Sequence, residues 1–247
     1  MSKSLFIIFL SLFLLFNILP VKAEEEVLIL LDSSVSMLEE IDGTPKYIMA
    51  IDAAKDVLSR TNPSKKIGLR IIGMQLNSNI FKYIQNPDNL CKATEIINPI
   101  MRNNLSSITE SLDSIIPLGT TPLTFSLATA ITNDFSNKAY PKHIILISDG
   151  AESCDKDPCA YIREITTYRK DIKIDIIAIN VKPEDFIQLK CLSDASSGDI
   201  KLVTTPSEMQ AAFSAFFPEI KYNFEKTNIL NSKPGVLYKN FMFETTQ

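Results

Sequence analysis

Apolar-rich runs alternate along this chain with stretches whose apolar positions recur every three or four residues. Val27 to Leu31, Ile67 to Met74, Ile144 to Ser148, Ile174 to Val181 and the short Ile200 to Val203 are these runs, broken only by single polar residues such as Arg70, Asp175 and Lys201. That is the pattern of strands buried on both faces. Between them, Tyr47, Ile51, Ala54 and Leu58 fall on one helical stripe, as do Leu105, Ile108, Leu112 and Ile115. Leu123, Leu127, Ala130 and Ile131 form a third stripe, and Met209, Phe213 and Phe216 a fourth. Strict alternation of strand and helix predicts an α/β fold with a mostly parallel, doubly wound central sheet and helices on both faces. One antiparallel edge strand is expected at Ile80–Ile84, after a Gln75–Asn79 turn.

Polar and proline punctuation sets the element ends. Thr44-Pro45 reads as an N-cap with proline at the first helical position, and Thr121-Pro122 repeats that pattern. Asn62-Pro63 and Pro117 stop helices. Asp157-Pro158 opens a helix to about Arg169, and Lys182-Pro183 one to about Ala195. Thr205-Pro206-Ser207-Glu208 is a capping box.

The first 23 residues read as a signal peptide. Lys3 begins it, Leu5 to Leu19 is an apolar run of about 15 residues, and Val21-Lys22-Ala23 offers a small-x-small cleavage site. A membrane span needs about 20 residues, so contact with a membrane is expected only through this segment if it stays uncleaved. The domain is placed at 24–217, with 218–247 as a C-terminal extension that adds a hairpin or forms an arm. A secreted or periplasmic location follows. The net charge of −4 and pI of about 5.2 exclude nucleic acid as a partner. Export makes the four cysteines two disulfides, Cys154 with its near neighbour Cys159, and Cys91 with Cys191. With one histidine, His143, a structural zinc site has no support.

The chemistry concentrates at three junctions. Val27–Leu31 breaks into Asp32-Ser33-Ser34-Val35-Ser36, a carboxylate followed at two-residue intervals by two hydroxyls. Gly119-Thr120-Thr121-Pro122 stands at a helix start, and Ser148-Asp149-Gly150 at a strand exit. An all-oxygen set suits Mg2+, Ca2+ or Mn2+. Parallel sheets bind ligands beyond the carboxyl ends of their strands.

These three motifs, in this order, resemble the von Willebrand factor A-type domain and its metal-ion-dependent adhesion site, over roughly residues 26 to 217. The segment from Ser148 to Cys159 is most similar to exported bacterial members. The resemblance implies the Rossmann-like fold of that family. It also implies the metal ligands Asp32, Ser34, Ser36, Thr121 and Asp149, with Mg2+ (or Mn2+ or Ca2+) as cofactor. Its partner would be a protein presenting an Asp or Glu carboxylate to the ion. Two other readings compete with this non-enzymatic binding module. One is a metal-dependent hydrolase or phosphatase; Ser34 stands where an Asp-x-Asp phosphatase needs its acid, and no Gly-x-Ser-x-Gly elbow occurs. The other is a scaffold whose metal is structural. Glu39, Glu40 and Glu152 read as solvated side chains.

Overall fold

β1 (Glu26–Asp32) lies at the centre of the sheet, and all seven of its residues are buried. It pairs in parallel with β4 (Lys66–Ile72) on one side and β6 (Lys142–Ser148) on the other. The computed structural model describes residues 24–73, 87–135 and 140–217. A two-residue hairpin, β2 (Glu40–Ile41) with β3 (Thr44–Pro45), follows β1 and leads into α1 (Lys46–Ser59). After β4 come β5 (Thr94–Met101) and α2 (Leu105–Leu112). Then follow α3 (Leu123–Thr129), β6, α4 (Pro158–Ile165), β7 (Ile172–Ile179), α5 (Pro183–Ala195), β8 (Ile200–Val203) and α6 (Pro206–Phe216).

The strand order is β5-β4-β1-β6-β7-β8, parallel except for β5. From β1 the chain winds outward to one edge, then returns to wind outward on the other side. The switch lies between β1 and β6, where a doubly wound sheet leaves a crevice at its carboxyl edge. Side-chain alternation splits the core. Val27, Ile29 and Leu31 face α1, α2 and α6, packing with Ala50, Ala54, Ile108 and Phe213. Leu28 and Leu30 face α3, α4 and α5, packing with Leu127, Ile162 and Leu192.

Two expectations are corrected, and a third falls outside the described residues. The antiparallel edge strand seen is β5, which the sequence reading did not name; Ile80–Ile84 lies outside the described residues. Pro99 sits inside β5, and proline is tolerated in a sheet at an edge, where one N–H has no ladder partner to reach. Thr44-Pro45 is strand rather than cap. Asp42 and Gly43 have φ of 50° and 79°, so the chain reverses there, and α1 begins only at Lys46 with no side-chain cap. The disulfides join Cys91 to Cys154 and Cys159 to Cys191, with Cα separations of 5.5 and 5.7 Å. The local Cys154–Cys159 bridge is pre-empted because Asp157 caps α4, accepting the Ala160 N–H at 2.9 Å. With Pro158 at its first turn, the helix turns Cys159 into its packing face against α5, where Cys191 lies. Cys154 is left to the turn at Pro87–Lys92, which carries Cys91.

Candidate metal centre

Asp32 ends β1 with its side chain wholly buried. Its Oδ1 accepts the backbone N–H of Ser34 at 2.8 Å, and Oδ2 accepts the Ser148 hydroxyl at 2.6 Å. Ser33, the spacer, gives its hydroxyl to the Ile72 carbonyl. Ser34 then starts a single 3-10 turn, Val35–Leu38, which brings Ser36 round beside it. The two hydroxyl oxygens stand 3.0 Å apart, and Ser36 Oγ donates to Asp149 Oδ1 at 2.7 Å. Asp32, Ser34, Ser36 and Asp149 therefore form one connected polar cluster at the crevice between β1 and β6.

The second loop is sewn onto the first through the backbone. Leu118 N–H donates to the Ser33 carbonyl at 2.7 Å, and Val35 N–H to the Gly119 carbonyl at 3.2 Å. Gly119 has φ +106° and Gly73, beyond β4, has φ +93°. A Cβ on Gly119 would come 2.0 Å from the Gly73 carbonyl oxygen, and one on Gly73 2.5 Å from that of Thr120. Only glycine fits where these two backbones touch.

Thr121 lies in this loop and is buried. Its N–H donates to Ser153 Oγ at 2.8 Å and its carbonyl accepts the Ser153 N–H at 3.2 Å. It does not cap α3. Glu152 does, accepting the Thr124 N–H at 2.7 Å with one oxygen and the Cys154 N–H at 2.9 Å with the other. A two-oxygen carboxylate serves helix and loop together, whereas Thr121 is already committed through its backbone to Ser153. Glu152 is thus a structural cap rather than a solvated side chain. The Cys91–Cys154 disulfide clamps this region from outside, beside Thr120, whose hydroxyl donates to the Leu90 carbonyl at 3.2 Å.

Burial pushes the Asp32 carboxyl up to about 6, helped by the negative charge of Asp149 and opposed by the hydrogen bonds from Ser148 and Ser34. Asp149 has a cationic neighbour: Lys46 Nζ lies 2.8 Å from its Oδ2 and 2.6 Å from Glu39 Oε2. Desolvation of the ammonium is outweighed by these two carboxylates, which hold the Lys46 pKa above its ordinary value. Glu39 is therefore ion-paired rather than merely solvated.

The donor set fits a small hard cation. Octahedral Mg2+ binds oxygen at about 2.1 Å, which places neighbouring ligand oxygens about 3.0 Å apart. The Ser34 and Ser36 hydroxyls have that separation. Both Asp32 oxygens and both Asp149 oxygens already accept hydrogen bonds, so these carboxylates suit an outer, orienting role behind the hydroxyls. The Thr121 hydroxyl has no hydrogen-bond partner among the described residues and is free to serve as a third neutral ligand.

The sequence reading gave no role to Ser148, Gly73 or Lys46. For Lys46 a signal existed. It stands four residues before Ala50 and eleven before Val57, on the buried stripe of α1, where a lysine needs a partner.

A family model described as "von Willebrand factor type A domain" matches residues 26–215. The uncharacterized protein YwmC of Bacillus subtilis (strain 168) is 25% identical over 194 residues, covering 78% of this chain and 83% of that protein. Among solved structures, von Willebrand factor type A from Catenulispora acidiphila aligns at TM-score 0.59 and 17% identity, over 77% of this chain and 41% of that longer one. Proximal thread matrix protein 1 from the mussel byssus, solved with a zinc-occupied MIDAS motif, aligns at TM-score 0.59 and 13% identity, over 78% and 45%. At these identities the structural likeness establishes the fold.

Proposed function

The chain belongs to the von Willebrand factor type A domain family, and from that premise we propose that it is an exported, non-enzymatic binding module whose divalent cation grips a carboxylate on a protein partner. The observation that carries this reading is the cluster at the β1–β6 crevice. It holds two buried carboxylates and a hydroxyl pair at metal-ligand spacing, and the side chains that form it include neither a histidine nor a thiol. Ser34, Ser36 and Thr121 hold the ion, Asp32 and Asp149 orient them, and Mg2+ is the ion favoured by an all-oxygen set. When bound, the ion supplies a Lewis-acidic coordination position for the partner's carboxylate.

Neutral hydroxyl ligands suit that task because they leave the ion's charge largely unneutralised. Val35 and Leu38, on the same 3-10 turn, are 53% and 44% exposed and offer apolar contact to a partner beside the ion. Against catalysis stands the position of the only histidine. His143 lies at the start of β6, six residues and about 20 Å of strand from Asp149, with its Nε2 2.7 Å from Asp175 Oδ2. Two disulfides suit an oxidising compartment and support the export reading.

The test is capture. The chain, immobilised and presented with an envelope extract of its source organism, retains a partner in Mg2+ and releases it in EDTA. Equal retention in both conditions overturns the reading. An Asp32→Ala variant that keeps its fold and still captures the partner does so as well.

A further inference from the structure

Lys46 breaks the local rules for its residue type. It opens α1 at the positive end of the helix, where a cation is disfavoured, and its side chain is only 3% exposed. The hairpin at Asp42-Gly43 holds it there. The chain folds back so that Lys46 N–H donates to the Glu39 carbonyl at 2.9 Å. Its ammonium then lies between Glu39 Oε2, at 2.6 Å, and Asp149 Oδ2, at 2.8 Å. Asp149 takes the Ser36 hydroxyl on its other oxygen, so one carboxylate joins an internal cation to the hydroxyl pair.

The charges have a consequence. Asp32 and Asp149 bring two negative charges, and a divalent ion alone would neutralise them. With the buried Lys46 ammonium included, the loaded site keeps one positive charge. Glu39 lies 2.6 Å from the ammonium and offsets part of this charge, less fully than a buried carboxylate because its side chain is 68% exposed. Lys46 is too enclosed to reach a partner itself, so its influence is electrostatic.

We propose that Lys46 is a built-in counter-charge that weakens divalent-ion binding at this site and strengthens the loaded site's hold on a carboxylate. The inference rests on the metal reading above, and it makes a prediction of opposite signs that a purely structural lysine would not produce.

The experiment uses the full chain with Mn2+ as the metal probe, its free concentration read by electron paramagnetic resonance. Acetate labelled with 13C at the carboxyl is the ligand probe, read by its relaxation near bound Mn2+. K46M keeps the packed stem and removes the charge. It is expected to bind Mn2+ at least tenfold more tightly than wild type and to relax acetate at least threefold less per bound ion. K46R, which keeps the charge, should stay close to wild type. E39Q alters only a surface carboxylate and leaves Lys46 in place, so it remains informative if K46M does not fold; it should weaken Mn2+ binding two- to threefold. Unchanged or weaker Mn2+ binding by folded K46M, or tighter binding by E39Q, overturns the proposal while the metal reading stands. Absence of Mn2+ binding by wild type and all three variants overturns the metal reading and this proposal with it.

Discussion

Two buried aspartates on the same sheet have opposite characters. Asp175 on β7 and Asp32 at the end of β1 are each at most 1% exposed. Asp175 meets His143 Nε2 at 2.7 Å, Lys173 Nζ at 2.7 Å and the Asp199 N–H at 2.7 Å. Desolvation alone would raise its pKa, but those three partners outweigh it and hold the carboxyl below its ordinary value. Asp32 has two uncharged donors and a second carboxylate nearby, and desolvation wins. A buried carboxylate that is fully compensated serves the fold. One left under-compensated at a strand exit is positioned for a cation that the chain itself does not supply.

The largest effect should come from removing the compensated partner. Asp175→Ala leaves His143, Lys173 and the Asp199 N–H without their acceptor and should cost about 3–5 kcal/mol, read by denaturant unfolding, with Mn2+ affinity unchanged in the folded protein. A loss below about 1 kcal/mol would break the contrast.

Asp32→Asn should do the reverse. The Asp32 carboxyl, raised from 3.8 to about 6, binds its proton more tightly folded than unfolded. Metal-free stability from this group is therefore fully present below about pH 4 and lost as pH rises through 6, a change of about 3 kcal/mol. Asp175 acts with the opposite sign, its contribution present at neutral pH and lost as pH falls below the ordinary Asp range. Asp32→Asn should flatten the metal-free profile between pH 4 and 7, raise stability at pH 7, and abolish stabilisation by Mg2+. Thermal melts across pH, with Mg2+ and with EDTA, check all three. A melting point at pH 7 lowered by the substitution would contradict the assignment.

Smaller effects separate cap from ligand within the site. Glu152→Ala should cost about 1 kcal/mol through the lost cap of α3, whereas Thr121→Ala should cost less than about 0.5 kcal/mol. Metal affinity should respond the other way, falling about tenfold for Thr121→Ala and no more than about threefold for Glu152→Ala. Chemical denaturation and Mn2+ titration of both variants give the comparison.

The sequence by itself determined the alternation of elements, the burial of β1, and the position of the Asp32, Ser34, Ser36 and Asp149 segments at strand ends. These follow from local periodicity and from chemistry that survives only at an exit from the sheet. The tertiary structure decided what depends on distant partners. Cysteine pairing turned on which faces α4 and α5 present to each other, a packing outcome that sequence proximity does not encode. The edge position of β5 was not legible because it is set by pairing with β4 alone, which periodicity does not register, and only such an edge accommodates Pro99. Glu152 replaced Thr121 as the cap because a loop 28 residues away in sequence folds over the start of α3. Lys46 entered the site only because a two-residue hairpin folds it back onto Glu39 while the β1–β6 pairing brings Asp149 alongside. In each case the deciding energy is a contact between segments far apart in the chain, and it exists only once the sheet has formed.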